Sequence, residues 1–316
     1  MTVIINPPYF LVGAERSGST MLRLMLDHHP EIFFHHEFEY SVNQIDFKGQ
    51  FPGIEDYREF LDSDRIFKSD GIIIPEFDNY VEIVKSFLVQ LHDKNMQKHI
   101  CGATVHHNFQ FLSLIWPNAK YIHLIRDPRD VTVSYVKKGW AGHVWTAADM
   151  WLLTENIWQD FSQKLSDENF INVYYEDLVR NPEVELSKIC QFIGVSYSKE
   201  MLNYAGSSTF SSPDISLINQ WKNSGNKVNN LVESKLEMLM KQYNYLDGNK
   251  KIEKISFFYD YYLRIFSHIN KVLFFISRYG LTLKFLDYLS RRVFKSCRFR
   301  KYVKEKVNNK AKLYIK

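Results

Sequence analysis

Residues 13–20 read Gly-Ala-Glu-Arg-Ser-Gly-Ser-Thr and stand between a short apolar run, Tyr9-Phe10-Leu11-Val12, and the stretch MLRLMLDHH. Apolar residues occupy most sides of a helical wheel in that stretch, so the order predicted is strand, loop, buried helix. A glycine-bounded loop in this position aims backbone N–H groups and the helix dipole at an anion. The spacing GxxxxG followed by Ser-Thr is that of a Walker A loop, except that Ser19 stands where the lysine belongs. Nucleoside triphosphate hydrolysis wants that lysine on the β- and γ-phosphates, and here Arg16 is the loop's one positive side chain. A different phosphate ester is implied.

The strand, loop, helix plan repeats. Tyr121 to Ile125 is an apolar run stopped by Arg126-Asp127-Pro128, and DVTVSYVKKGW after it has the composition of a helix. A third run, Ile171 to Tyr175, precedes EDLVRNPEVELSKICQFIGV, in which Leu186, Ile189, Cys190 and Ile193 share one helical face. Strands alternating with helices predict an α/β fold: a P-loop-like parallel β-sheet flanked by helices. That domain is expected over residues 1–249, followed by a basic amphipathic helical C-terminal extension over 250–316. The segment 41–79, rich in Phe, Asp and Gly without a clear period, is expected to be an insertion over the sheet that lines the acceptor site. Trp140, Trp145, Trp151 and Trp158 lie among helical residues, and their expected place is a core face.

Composition excludes several classes. Of 316 residues, 45% are hydrophobic and 16% aromatic, enough for one large cored domain and incompatible with disorder. The formal charge of +4 hides an asymmetry: residues 1–249 carry 22 Lys and Arg against 32 Asp and Glu, and residues 250–316 carry 18 against 4. Cys101, Cys190 and Cys297 form no CxxC spacing and read as buried thiols of a reducing, cytoplasmic compartment. The N-terminus lacks a basic leader and its apolar run is broken by Asn6-Pro7-Pro8, so it reads as the approach to a strand rather than a signal peptide. No stretch reaches the roughly 18–20 uncharged apolar residues that a membrane span needs.

The segment GAERSGSTMLRLMLDHHPEI resembles the 5′-phosphosulfate loop and following helix of sulfotransferases that use 3′-phosphoadenosine 5′-phosphosulfate (PAPS). It is most like their bacterial and tyrosylprotein branch, where the loop reads R-S-G-[ST]-T with arginine in place of the lysine of other branches. WPNAKYIHLIRDPRD, residues 116–130, is similar to the family's 3′-phosphate segment, and Ser134 stands at the expected spacing after Arg126. Weaker family-like stretches follow at Tyr175-Glu176-Asp177-Leu178 and Gln220-Trp221-Lys222. The resemblance covers roughly residues 9–247.

The resemblance implies a cofactor site of Arg16, Ser17, Gly18, Ser19, Thr20, Arg126, Ser134 and Lys222, with 3′,5′-ADP as product. Arg126 and Ser134 would hold the 3′-phosphate that separates PAPS from ATP. Arg16 would also serve catalysis, at the bridging and sulfonate oxygens, and Glu37, 21 residues later, stands where the branch keeps its catalytic glutamate. His36 and Glu39 are alternatives for the base. Such a glutamate needs burial, because a carboxylate of pKa about 4.3 is a weak base for an alcohol. Without chemistry, HHEFE would be a polar turn after Pro30, and Arg126-Asp127-Pro128-Arg129-Asp130 a solvated charged turn. Many relatives carry a lysine in a G-[DE]-K-[ST]-P pattern; here Ala103 takes the corresponding place, and His106 or His107 is left to supply positive charge or a second base. The histidine pairs at 28–29, 35–36 and 106–107 have no carboxylate or cysteine spacing that would make a metal site.

The function expected is sulfonate transfer from PAPS to an acceptor hydroxyl by in-line displacement with a general base. A carbohydrate or glycolipid acceptor leads, with a tyrosyl-protein or small-molecule acceptor as the alternative. A P-loop kinase, or a non-catalytic membrane or partner-binding module, is the reading from other classes. Residues 250–316 alternate aromatic and aliphatic residues with Lys and Arg, which suits peripheral contact with an anionic membrane or docking on the acidic body; nucleic acid is not an expected partner.

Overall fold

The computed structural model describes residues 7–95, 97–206, 213–292 and 297–311. Five strands, β1 (Tyr9–Val12), β2 (Ile32–Glu37), β3 (Ile100–Thr104), β4 (Lys120–Ile125) and β5 (Phe170–Tyr174), form one sheet in the order β2-β3-β1-β4-β5. Every neighbouring pair is parallel. β1 and β4 are buried almost throughout, as strands covered on both faces should be. The register sets Leu11 beside both Thr104 and Ile122, and Ile125 beside Tyr174. The C-terminal ends of the strands therefore share one edge. β1 and β4 are neighbours whose outgoing connections lead to opposite sides of the sheet order, the arrangement that opens a ligand crevice in open α/β folds.

Two strands escaped the sequence reading. β2 takes in the first three residues of HHEFE, so the polar turn of the reading without chemistry does not form there: Ile32 to His35 are buried, His36 and Glu37 emerge, and the register slips between His35 and Glu37. β3 contains Ala103, which is wholly buried between Phe10 and His35 of the neighbouring strands. That corrects the lysine alignment. A lysine at 103 would point into the core, and β3 ends one residue later at Thr104.

The segment 41–79 packs over one face of the sheet, as an insertion there should. It folds as helices Ile54–Ser63 and Arg65–Asp70, the second capped by the Asp64 carboxylate on the Ile66 and Phe67 N–H groups. Tyr57, Leu61, Phe67 and Ile72 join Phe10, Phe38, Tyr40 and Phe87 in the hydrophobic cluster on one face of the sheet. Its apolar positions are too sparse for a visible period because aromatic bulk does the packing. On the other face, the helix Ser19–Asp27 contributes Leu22, Leu24, Met25 and Leu26, and the helix Pro182–Ile193 contributes the four residues its periodicity had marked. Trp151 and Trp158 are core residues as expected, whereas Trp140 is partly exposed. Cys101 and Cys190 are buried free thiols; the Cys297 side chain lies outside the described residues.

The chain divides into two compact units, one of residues up to 131 with 150–220, the other of residues 132–149 with those from 221 onward. The second unit carries the helices Asn226–Gln242, Phe257–Tyr279, Leu281–Arg292 and Cys297–Ala311. Residue 249 falls inside it: the Ser234 hydroxyl bonds the Glu253 carbonyl, and Leu231 and Leu263 pack with Trp145.

Candidate active site

The loop leaves β1 at Gly13, where φ is +131° and an added Cβ would stand 2.4 Å from the Leu124 carbonyl oxygen of β4. Only glycine fits so close to the neighbouring strand. Gly18 stands before the helix Ser19–Asp27 with φ +101° and no side-chain cap. The N–H groups of a helix's first turn have no intrahelical partner and need one from outside. An added Cβ at Gly18 would meet the Tyr175 ring at 2.5 Å. Between the glycines, Arg16 is exposed with φ +65°, a left-handed conformation unusual for arginine, so the loop presents this side chain at its tip. The Ser17 hydroxyl is enclosed and has no hydrogen-bond partner among the described residues. Thr20 is exposed on the first helical turn.

Arg126 follows β4 and comes to the same place. Its guanidinium lies 4.0 Å from the Tyr175 ring centroid, donates to the Leu217 carbonyl at 2.9 Å and reaches the Arg16 carbonyl at 3.4 Å. Tyr175 thus backs both the loop at Gly18 and the arginine. The following charges are not a solvated turn. Arg129 donates Nε and Nη2 to the two Asp127 oxygens at 3.0 and 2.7 Å, and the Asp127 N–H is received by Glu176 at 3.0 Å. All three side chains are buried. Arg129 is a strut that fixes the backbone from which Arg126 projects.

His106, just past β3, closes the loop from behind. Its Nδ1 is 2.9 Å from the Gly13 carbonyl and its Nε2 3.2 Å from the Ser19 hydroxyl. A carbonyl only accepts, so Nδ1 carries the proton and, in the neutral ring, Nε2 accepts from Ser19. Both ring nitrogens are engaged in tying together the two ends of the loop. The catalytic part expected of His106 becomes a positioning part, because neither nitrogen is left to take a substrate proton. Ser19, at the Walker lysine's place, spends its hydroxyl proton on this clasp and keeps its backbone N–H for a ligand. His107 instead pairs with Glu15, Nε2 to Oε2 at 3.4 Å. The hydrogen bond to Glu15 raises the His107 pKa, partly opposed by burial. Burial alone would raise Glu15, but the hydrogen bond and charge of His107, with His106 and Arg16, hold it below its usual range. The pair sets the His107 ring and the Glu15 carboxylate beside Arg16.

Glu37 ends β2 on this edge and is exposed. The burial expected of a glutamate base belongs to Glu39 instead. Burial raises the Glu39 pKa, its Oε1 accepts the His106 N–H at 2.9 Å, and its Oε2 is enclosed without a hydrogen-bond partner among the described residues. No sequence pattern distinguishes Glu39 from Glu37; the end of β2 at Glu37 and the helical turn Glu39–Ser41 that follows it do.

Beside them, Asp70 receives His35 Nε2 at 3.1 Å and the Tyr40 hydroxyl at 2.7 Å, and His36 Nε2 lies 3.5 Å from its other oxygen without a hydrogen bond. The carboxylate that the histidine pair lacks in sequence thus arrives from 35 positions away, and it brings the ligand atoms of His35, His36 and Asp70 within 4.8 Å of one another. Burial, then the neighbouring His35 and the cations Arg23 and Arg65, push His36 down to about 4 against the pull of Asp70. An unfolded histidine titrates near 6.5, so between about 6.5 and 4 the unfolded chain binds a proton that the folded chain refuses. This part of the stability is present above pH 6.5 and is lost as pH falls through that window. With the side chain 46% exposed, water screens the effect to roughly 1 kcal/mol. His36→Gln is expected to flatten the fall of Tm between pH 6.5 and 4 relative to the unaltered chain; parallel curves would contradict the assignment.

Ser134 and Lys222 belong to the second unit. Ser134 is half-buried on the helix Pro128–Lys137, and Lys222 is exposed in a short turn, with its ammonium 5.7 Å from the Trp221 ring centroid.

A family model for sulfotransferases matches residues 7–199, on which the loop, Arg126 and Tyr175 all lie. The chain belongs to the sulfotransferase family. Protein-tyrosine sulfotransferase A of Caenorhabditis elegans is 25% identical over 210 residues, 63% of this chain and 53% of the relative. Protein-tyrosine sulfotransferase 2 of Gallus gallus is 23% identical over 208 residues, 63% and 54% of the two chains. This sulfotransferase-family chain thus spans about half the length of those two relatives. Two solved structures share its fold. The sulfotransferase domain of the Synechococcus PCC 7002 olefin synthase has a TM-score of 0.54 at 21% identity, covering 74% of this chain and 94% of that one. The sulfotransferase domain from the curacin biosynthetic pathway has a TM-score of 0.51 at 20% identity, with 74% and 98% covered.

Proposed function

We propose that this enzyme transfers a sulfonate group from PAPS to an acceptor hydroxyl, and that the acceptor is a tyrosine of a protein. The observation that carries the first part is the meeting of the glycine-bounded loop with Arg126 over one tyrosine ring. The enclosed Ser17 hydroxyl and the uncapped helix start are donors of the kind a phosphosulfate requires, so the chain's residues fit the nucleotide. Residues 17–20 would hold its 5′-phosphosulfate and Arg126 its 3′-phosphate, and the bound nucleotide supplies the activated sulfonate. Arg16, at the loop tip, is placed to stabilise negative charge growing on the leaving phosphate. Glu37 is placed to take the acceptor's proton at the open edge, where an incoming acceptor would exclude the water that now bathes it. Its neighbour Glu39 is enclosed and committed to the His106 N–H.

The tyrosine assignment is supported by the names of the relatives, which favour it over the carbohydrate or glycolipid expected from the basic tail. It is tested by offering PAPS with a tyrosine-containing peptide, an oligosaccharide and a glycolipid, and weighing the products. Sulfonate gain on the peptide alone is expected. Gain on the sugar or lipid with an unmodified peptide would overturn the tyrosine assignment and leave the PAPS reading intact.

A further inference from the structure

The helix Phe257–Tyr279 is docked within its unit by its polar side. Asp260 accepts the Trp145 indole N–H at 2.6 Å and pairs with Arg264, which also reaches Asp149 at 3.0 Å. The Ser267 hydroxyl bonds Thr146 and the Gly142 N–H, and Asn270 donates to the Gly142 carbonyl. At 3.6 residues per turn, positions 260, 263, 264, 267 and 270 form one face. The opposite face is Phe258, Tyr262, Ile265, Ile269 and Leu273, a stripe of large apolar side chains stepping by three and four residues, each exposed, Phe258 at 83%. A helix in a water-facing protein normally buries its apolar stripe and exposes its charges, and here the order is reversed. The next helix, Leu281–Arg292, repeats the pattern with exposed Leu281, Phe285 and Tyr288.

Contiguous exposed apolar area of this kind marks an interaction surface. Its surroundings fix the partner's chemistry. Residues 250–316 hold 18 Lys and Arg against 4 Asp and Glu, and Lys271, Arg292, Lys304, Lys306 and Lys310 are exposed. No helix among the described residues is long and apolar enough to cross a membrane. We infer that these helices lie in the interface of an anionic lipid bilayer, with the Phe258 to Leu273 stripe immersed at the headgroup boundary and the lysines and arginines on lipid phosphates and carboxylates. Aromatic and aliphatic immersion combined with basic charge is how interfacial helices bind without spanning. The inference stands apart from the nucleotide and acceptor readings, because it uses none of their residues.

The test is co-sedimentation of the full chain with vesicles of phosphatidylcholine alone and of phosphatidylcholine mixed with phosphatidylserine, at two salt concentrations. Strong, salt-sensitive binding to the mixed vesicles is expected. The triple variant Phe258→Ser, Ile265→Ser, Ile269→Ser, whose positions are exposed, should lose at least about tenfold of it while keeping its circular dichroism and Tm. Absence of binding by the unaltered chain, or equal binding by the variant, would overturn the proposal. So would a dimer in lipid-free solution that the variant abolishes, since the stripe would then be covered by a second copy.

Discussion

Glu37→Gln should leave 3′,5′-ADP binding unchanged and lower turnover by about 10²-fold or more, the usual range for loss of a positioned general base. Glutamine keeps the size and polarity of the side chain but cannot accept the proton. Because Glu37 is exposed at the end of β2, and is outside the hydrogen bonds that hold the loop, the substitution should cost little stability. Single-turnover kinetics with saturating PAPS separate chemistry from binding. Turnover within a factor of two of the unaltered enzyme would remove Glu37 from the mechanism. A companion Glu39→Gln variant should behave differently: the buried carboxyl that receives the His106 N–H would be altered, and a fall in Tm is expected with it.

The second large effect is expected at Arg126. Arg126→Ala should weaken 3′,5′-ADP by about 10²-fold, since each hydrogen bond between a guanidinium and a phosphate contributes about 1.5–3 kcal/mol. The affinity for 5′-AMP should change much less. The same side chain stacks on Tyr175 and holds the Leu217 and Arg16 carbonyls, so some general loosening is expected. Comparison of the two nucleotides distinguishes the causes. An equal loss for both would assign Arg126 to loop support alone. Arg126→Lys should recover only part of the difference, because a lysine cannot present two parallel donors.

The sheet and its nucleotide edge were legible where the sequence concentrates its signals. Tyr9 to Val12 followed by a glycine-bounded loop, and Tyr121 to Ile125 stopped at Arg126-Asp127-Pro128, are strong apolar runs with abrupt ends, and they mark β1 and β4. β2 and β3 were missed because their outer ends carry polar and small residues, His35 to Glu37 and Gly102 to Thr104, where the sheet opens onto the site. The function of that edge obscured its structure. Residue types also did not reveal which histidine does what. His106 and His107 are adjacent, yet one ring is locked behind the loop by Gly13 and Ser19 while the other faces Glu15, a division set by the chain's exit from β3. Tyr175 was quoted only as part of a weak stretch. Its importance comes from standing under both Gly18 and Arg126, a relation that sequence separations of 157 and 49 conceal.

The most direct test of the central claim is calorimetry of the purified chain with 3′,5′-ADP, 5′-AMP and ATP, the last with and without Mg²⁺. The loop and Arg126 together predict that 3′,5′-ADP binds at least about tenfold more tightly than the other two and needs no metal, because a guanidinium at the loop's edge adds a charged donor for the 3′-phosphate. Equal binding of all three, or tightest binding of Mg²⁺-ATP, would contradict it and return the loop to the nucleoside triphosphate class.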